Sequence, residues 1–202
     1  MSGLRIFAFD GGVDISMNEV LSLGTDKDPM RWYVLRDLKR RNARLPGYKD
    51  LAERGIEVFT PMSWRLAVVR GKKVREEIPV INDLLFARER RSVLDPIIMK
   101  IPTLQYRFVK GGGYNPLTIR DKDMERFMSA VRFAEKPRFY SPEELTPDMY
   151  GKSVRLEGGP LDGFEGRLLS VKGSRKKRVV IELPNLIAVS VEVNPEYICV
   201  VG

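Results

Sequence analysis

The chain has 202 residues, of which 43% are hydrophobic, so its length and composition allow one large domain or two modest ones. It contains no histidine and one cysteine, Cys199, which excludes zinc sites built on His and Cys and nucleophilic pairs of the Ser-His or Cys-His type. The formal net charge is +8, and residues 30–150 hold 25 basic and 16 acidic side chains. This excess of positive charge favours contact with a polyanion such as nucleic acid, with general solubility as the alternative.

Several function classes find no support in the sequence. No apolar run is long enough to cross a membrane and the N-terminus lacks a signal-peptide pattern, so we expect a cytoplasmic protein without membrane contact. The glycine-rich segment 110–114 lacks the Gly-Lys-Ser/Thr ending of a phosphate-binding loop. Glu76 and Glu77 are adjacent, so their side chains diverge on a strand. We therefore expect no enzyme, no cofactor and no metal site.

The first predicted domain covers residues 30–133, after an acidic N-terminal extension at 1–29 that we expect to be peripheral or poorly ordered. Aromatic and β-branched runs predict strands, and helical spacing of apolar residues predicts helices. The predicted strands are 32–36, 56–60, 64–70, a return from 74 to 79, 80–87 and 105–109; the predicted helices are 39–54 (interrupted at Pro46-Gly47), 92–100 and 122–133. This order predicts an α/β sandwich in which an antiparallel sheet is backed by helices.

A second predicted domain follows a proline-rich linker. Pro137, Pro142 and Pro147 recur at intervals of five, so residues 134–150 are predicted to be a stiff, extended linker. Residues 151–202 contain five short runs of alternating apolar and polar residues, which predict strands. Five short strands must curl to bury one face, so we expect a small SH3-like barrel. The predicted fold class is α+β, with an all-β C-terminal unit.

The C-terminal segment contains a glycine-rich turn motif. The sequence Gly159-Pro-Leu-Asp-Gly-Phe-Glu-Gly166 lies between two predicted strands and resembles the KOW motif. Glycine suits a turn with positive φ, so Gly159 is a candidate turn residue. Phe164 is predicted to anchor the turn in the barrel core, and Gly166 to let the strand bend tightly. The alternative is an SH3-like barrel with an unrelated glycine turn.

Motifs in the first domain extend this resemblance to the NusG family. The segments occur in the order that the NusG N-terminal domain has: Trp32-Tyr-Val-Leu35, Val58-Phe-Thr-Pro61, Arg70-Gly-Lys-Lys73 and Leu117-Thr-Ile-Arg-Asp121. Together with the KOW motif, the resemblance spans residues 31–201. The segments 79–86 and 138–145 are similar to those of the specialised NusG paralogues of Bacteroidetes called UpxY. The general NusG motif Phe-Pro-Gly-Tyr is absent, which argues against general NusG duties such as Rho recruitment.

The resemblance implies a function and a binding site. UpxY proteins are antiterminators of capsular polysaccharide operons, so the resemblance implies a non-enzymatic elongation and antitermination factor. In the family, an apolar cavity of the N-terminal domain grips the clamp helices of the largest RNA polymerase subunit. The matching elements place five residues in that cavity: Ile81, Leu84, Phe86, Tyr106 and Phe127. Leu84 and Phe86 are two apart and share one sheet face. The alternative is that all five side chains belong to the core.

Basic residues form two groups that we predict to contact upstream duplex or non-template DNA. The first group lies on the first strand and the helix after it: Arg36, Lys39, Arg40, Arg41 and Arg44. The second group lies on one predicted hairpin: Arg70, Lys72, Lys73 and Arg75. Such contacts go mainly to phosphates and are strong at low salt. The alternative is a solvated basic face.

The C-terminal unit is predicted to recruit a partner. By resemblance, the KOW barrel contacts a ribosomal protein or a termination factor, and we expect a monomer. A different function remains open, that of a ribosome-associated RNA-binding KOW protein. It would bind RNA through the basic hairpin tip at 175–178 and use the first domain as an adaptor.

Overall fold

The structure, a computed structural model, describes residues 27–39, 43–109, 111, 113–134, 136–170 and 177–201. The predicted extension at 1–29 lies outside the described residues except for 27–29. The elements of the N-terminal unit are the strands β1 (Arg31–Asp37), β2 (Glu57–Phe59), β3 (Met62–Val69), β4 (Lys72–Pro79), β5 (Leu85–Glu89), β6 (Leu104–Tyr106) and β7 (Thr118–Ile119), and the helices α1 (Gly47–Glu53), α2 (Arg91–Lys100) and α3 (Asp121–Phe133). None of these helices, the longest of which has 13 residues, can span a membrane.

The N-terminal sheet lies between helices on both of its faces. Its strands run in the order β2-β5-β1-β6, with β7 also paired to β1, and every pairing is antiparallel. Trp32 and Val34 of β1 pack towards α3, whereas Tyr33 and Leu35 pack towards α1 and α2. Because both faces are covered, four consecutive residues of β1 are buried. The prediction of an α+β sandwich built on an antiparallel sheet is confirmed.

The predicted strand 80–87 is wrong in its first half. Residues 80–84 form a turn, in which the Leu84 N–H donates to the Ile81 carbonyl at 3.3 Å, and the strand β5 begins only at Leu85. The polar pair Asn82-Asp83 is typical of such a turn, and it interrupts the apolar run. The first part of the predicted helix 39–54 is also absent among the described residues, because α1 begins at Gly47, after Pro46.

Asp28 attaches the beginning of the described chain to the start of α2. Its carboxylate accepts the backbone N–H groups of Arg91 at 2.9 Å and of Ser92 at 3.1 Å. These N–H groups have no partner within the helix, so a carboxylate from outside the helix satisfies them. Hydrogen bonds from the side chain of Ser92 and from these backbone groups hold the pKa of Asp28 below its ordinary value.

The C-terminal unit is all β. Its strands are β8 (Arg138–Tyr140), β9 (Tyr150–Leu156), β10 (Glu165–Leu169), β11 (Arg178–Leu183), β12 (Ile187–Glu192) and β13 (Ile198–Val200). They form one antiparallel sheet in the order β13-β9-β10-β11-β12-β8. Strand β8 comes from the segment predicted as a linker, and it pairs with β12 from Ala188↔Tyr140 to Ser190↔Arg138. Part of the proline-rich segment therefore belongs to the C-terminal sheet.

The two units share one hydrophobic core. Helix α3 contacts β1 on one side and β11, β12 and the 3-10 turn Gly159–Leu161 on the other. Buried side chains of the N-terminal sheet and of α3 form a continuous cluster with those of the C-terminal sheet. The C-terminal members of the cluster are Val154, Leu156, Leu161, Val179, Ile181, Leu183, Leu186, Ile187, Val189 and Val191. The C-terminal sheet thus packs against the outer side of α3.

The predicted basic hairpin tip at 175–178 is only partly described, and its last residue is buried. Arg178 begins β11, and its Nε donates to Ser190 Oγ at 2.9 Å. Its Nη2 donates to the backbone carbonyls of Ser190 at 2.7 Å and of Lys136 at 2.8 Å. Burial lowers the pKa of Arg178 below the usual arginine range. The Arg178 side chain holds the linker against β12 and is not available to RNA.

Candidate functional site

Four of the five predicted cavity residues lie together on the α3 side of the N-terminal sheet. Leu84, Phe86 and Phe127 are buried in the shared core, and Ile81 is half-buried against them. Sequence reasoning missed Phe59, whose ring centroid lies 6.3 Å from that of Phe86 and 6.2 Å from that of Phe127. The cluster is thus a closed apolar core in this conformation, with Ile81 and Phe59 at its edge.

Tyr106 does not belong to this cluster. It lies opposite Leu35 in the β1–β6 register, and Leu35 faces α1 and α2. Its ring makes an edge contact with Tyr33, with centroids 5.6 Å apart, and its hydroxyl donates to Asp95 Oδ1 at 2.8 Å. Burial and this hydrogen bond raise the pKa of Tyr106 far above its usual range. The structure therefore separates Tyr106 from the other four residues by the thickness of the sheet.

The C-terminal unit covers the outer side of α3. Arg126 donates from Nη2 to the backbone carbonyl of Glu165, and its guanidinium lies 5.9 Å from the centroid of the Phe164 ring. Towards the N-terminal sheet, Met128 and Ile119 are half-buried against the shared core. The apolar surface built by the sheet and α3 thus continues directly into the C-terminal unit.

The three residues of the predicted turn motif take distinct roles. Gly159 has φ +72°, which glycine adopts without strain, and it lies at the start of a 3-10 turn. Phe164 is half-buried against the shared core. Gly166 was predicted to let the strand bend, but the structure requires glycine there for close packing. A Cβ at this position would lie 2.5 Å from the Val180 carbonyl oxygen. Only a residue without a side chain lets β11 approach β10 this closely.

Two of the described residues of the first predicted basic group, Arg36 and Lys39, lie near carboxylates, and a third, Arg44, is exposed. Arg36 Nε lies 3.2 Å from Asp83 Oδ2. Lys39 Nζ donates to the Leu45 carbonyl at 2.8 Å and lies 3.8 Å from Asp50 Oδ2. Arg40 and Arg41 lie outside the described residues. Arg36 and Lys39 therefore each have a carboxylate neighbour in this conformation, and their contact with DNA stays a prediction.

The second group lies on a two-stranded ribbon formed by β3 and β4. Arg70 and Gly71 form its turn with φ +51° and +76°, and Lys72, Lys73 and Arg75 follow on β4. None of these four basic side chains has an ion-pair partner in the part of the chain that the structure describes. Sequence reasoning missed Trp64, whose ring centroid lies 4.6 Å from the Arg75 guanidinium carbon.

The described residues hold no group of three or more side chains suited to bind a metal ion. A cavity of about 310 Å³ lies between α1 and the base of the ribbon. Two of the carboxylates that line it are already engaged, since Glu76 pairs with Arg65 and Asp37 accepts the backbone N–H groups of Lys39 and Gly47. Glu77 is the one further carboxylate that the described residues place in the lining, whereas acid–base chemistry by carboxylates uses a convergent pair.

Comparison with known proteins finds a family match in the N-terminal unit. The family model described as transcription termination factor nusG matches residues 30–128, which include every strand of the N-terminal unit and the first part of α3. The match covers 99 of the 202 residues, so the N-terminal unit is similar to a NusG domain over just under half of the chain.

The other comparisons add little to this assignment. No curated protein matches the sequence. Among solved structures, one that reports domain interaction in Thermotoga maritima NusG matches with 13% sequence identity and a TM-score of 0.43, covering 86% of this chain and 98% of that chain. The similarity to NusG therefore depends on the family match.

Proposed function

We propose that this chain is a specialised NusG paralogue of the UpxY kind, which suppresses pausing or termination by RNA polymerase in the cytoplasm. Its target would be capsular polysaccharide operons. The family match at 30–128 supports the elongation role, and the UpxY-like segments at 79–86 and 138–145 support the specialisation. The factor acts without chemistry of its own, by holding the polymerase in its elongating state.

One observation carries the proposed polymerase contact. The buried apolar residues on the α3 side of the N-terminal sheet form one cluster with those of the C-terminal unit. In this cluster, Leu84, Phe86 and Phe127 form the floor of the proposed groove, and Ile81 and Met128 form its edge. A groove of this kind accepts an amphipathic helix. The clamp helices of the largest polymerase subunit are the proposed occupant.

The C-terminal unit packs on α3 in this conformation and shares one core with these residues, so we propose that binding requires the two units to separate. Polymerase and the C-terminal sheet then compete for one apolar surface, and the apparent affinity for polymerase is reduced by the fraction of closed molecules. Separation also exposes the C-terminal unit, which we propose to be a KOW barrel that recruits a ribosomal protein or a termination factor. The segment around 141–149 would remain as the tether between the separated N-terminal and C-terminal units.

The test is a binding measurement between RNA polymerase and the full chain. Met128→Ser shortens a half-buried side chain at the edge of the proposed groove, and it is expected to weaken binding about tenfold. Met99→Ser is the matched control, because Met99 is 84% exposed on α2, on the other face of the sheet. Equal affinity of the two folded variants would contradict the proposed contact. Capture of ribosomal RNA without polymerase would favour the ribosome-associated alternative.

A second variant tests the competition between polymerase and the C-terminal unit. Arg126→Glu removes the hydrogen bond to the Glu165 carbonyl and the contact with the Phe164 ring, and it introduces a carboxylate near Glu165 and Glu182. The change is expected to loosen the C-terminal unit and strengthen polymerase binding. Polymerase affinity that stays at the wild-type value, while hydrogen exchange shows the units apart, would refute the competition.

A further inference from the structure

Three charged side chains meet on the α3 face of the N-terminal sheet, at the border of the proposed groove. Asp83 belongs to the turn at 80–84, Arg36 to the end of β1, and Arg107 follows β6 directly. Asp83 Oδ2 lies 3.2 Å from Arg36 Nε and 3.3 Å from Arg107 Nη2. One carboxylate oxygen therefore lies between two guanidinium groups. We call Arg36, Asp83 and Arg107 the Asp83 cluster.

The register of the strands places both arginines on this face. Tyr106 packs on the face of α1 and α2, so Arg107, the next residue, lies on the other face. The Arg107 N–H donates to the Val34 carbonyl at 2.8 Å, and Val34 lies opposite Phe86 of the groove floor. Arg36 is two residues from Val34 on β1 and shares its face. The Asp83 cluster thus borders the apolar floor directly.

The Asp83 cluster has one more positive charge than negative. Within the described part of the chain, Asp83 is the one carboxylate that pairs with Arg36 or Arg107. Arg107 Nε is buried and has no hydrogen-bond partner among the described residues, so this guanidinium is incompletely satisfied. The Arg36 and Arg107 side chains are 48% and 27% exposed, which leaves both within reach of an approaching group. The cluster can therefore accept one further anion.

A carboxylate beside apolar side chains is the partner that fits this border best. The planar fork of a guanidinium matches the two oxygens of a carboxylate, and one more carboxylate balances the charge of the Asp83 cluster. The floor next to the cluster is apolar, so the same partner must also offer apolar side chains. An amphipathic helix offers both, whereas the phosphate backbone of DNA has no apolar side chains to cover the floor.

We propose that the Asp83 cluster binds an acidic side chain of the polymerase clamp helices, and that Arg107 is the specificity-determining residue of this contact. The inference deepens the proposed function and rests on it, because the clamp helices are the proposed occupant of the groove. The apolar floor accepts many amphipathic helices, whereas the cluster favours one that has a carboxylate next to its apolar stripe at this border. Asp83 is a positioning residue, since it holds both guanidinium groups there.

The test measures the affinity of the full chain for RNA polymerase, without nucleic acid, over a series of salt concentrations. Arg107→Met keeps a long unbranched side chain but removes its charge, so it is expected to weaken binding about tenfold and to reduce the salt dependence of the affinity. Arg107→Lys keeps the charge but loses the planar fork, and it is expected to recover part of the loss. Arg54→Met is the matched control, because Arg54 also pairs with a carboxylate, that of Asp50 at 2.7 Å, but on α1 at the other face of the sheet. Its affinity should not change.

Polymerase variants identify the partner group. The acidic residues of the clamp helices are changed one at a time to the corresponding amides, and one of these changes should weaken binding of the wild-type chain but not of Arg107→Met. Equal effects of every change on both chains, or wild-type affinity of Arg107→Met at every salt concentration, would overturn the proposal. A loss of DNA binding by Arg107→Met without a loss of polymerase binding would overturn it too, in favour of phosphates. Arg36→Met, at the more exposed arginine, repeats the test if Arg107→Met folds poorly.

The outcome is separable from that of the proposed function. Met128→Ser removes an apolar contact and should leave the salt dependence of polymerase affinity unchanged, whereas Arg107→Met should reduce it. If Met128→Ser weakens polymerase binding and Arg107→Met does not, only the proposal for the Asp83 cluster fails. If neither variant weakens polymerase binding, the proposed polymerase contact fails together with it.

Discussion

Replacement of Gly166 by alanine tests how closely the strands of the C-terminal unit approach each other. The added Cβ would lie 2.5 Å from the Val180 carbonyl oxygen and 2.6 Å from Val179 Cγ1, whereas real Cβ atoms essentially never come within 3.0 Å of a neighbour. Backbone of β11 must therefore move by about 0.5 Å, and overpacking of this kind costs about 3 kcal/mol. The lower entropy of the unfolded alanine chain offsets about 0.7 kcal/mol of this cost. The expected net loss is about 2 kcal/mol.

The assay is equilibrium unfolding in urea followed by far-ultraviolet circular dichroism, with a thermal melt in parallel. For a chain of this size, the expected loss lowers Tm by about 4–8 °C. Gly71→Ala is the control, because no atom lies within 4 Å of the point that its added Cβ would occupy, and only its φ of +76° opposes a side chain. Its cost should be about 1 kcal/mol, from the left-handed φ alone. A Gly166→Ala protein as stable as wild type, or less affected than Gly71→Ala, would refute the steric argument.

Three further predictions concern the two faces of the N-terminal sheet and the start of α2. Phe127→Ala leaves a cavity in the shared core and should lower the free energy of unfolding by about 3–5 kcal/mol, measured in urea. Tyr106→Phe should leave polymerase affinity unchanged, since Tyr106 and its partner Asp95 lie on the opposite sheet face; a marked loss would contradict that placement. The hydrogen bonds from Ser92 lower the folded-state pKa of Asp28, so its stabilising effect is present above the unfolded pKa and is lost as pH falls through the folded one. The stability difference between wild type and Asp28→Asn should therefore be constant near neutral pH and shrink as pH falls below about 4. A difference that stays constant at low pH would argue against the ionised cap.

Local pattern predicted most of the elements but not the partners of their side chains. The apolar spacing of 122–133 predicts α3, and the alternation in 179–183 and 187–193 predicts β11 and β12. Nothing in that spacing says that α3 has two apolar neighbours, one sheet on each side. Helical periodicity reports that a face is buried, and it does not report what buries it.

The candidate site shows the same limit at single residues. Tyr106 and Phe86 both lie on strands of one sheet, yet their side chains are on opposite faces. The pairing register with β1 decides which alternate residues of each strand lie on which face. The sequence pattern predicts only that Trp64 is a strand residue. The structure adds that, among the described residues, its strand pairs with β4 alone. The pairing of Arg36 with Asp83 likewise depends on a turn 47 residues away.

The sequence by itself determined the α+β class, the sheet with its helices, the all-β C-terminal half and the positively charged tip of the ribbon, because these follow from local periodicity, turn residues and charge. The tertiary structure alone decided which apolar residues are covered and by what. It placed the C-terminal sheet on α3, separated Tyr106 from the other candidates and left the Trp64 face open. These features arise from contacts between residues far apart in the chain, and strand register and the packing of one unit on another set them.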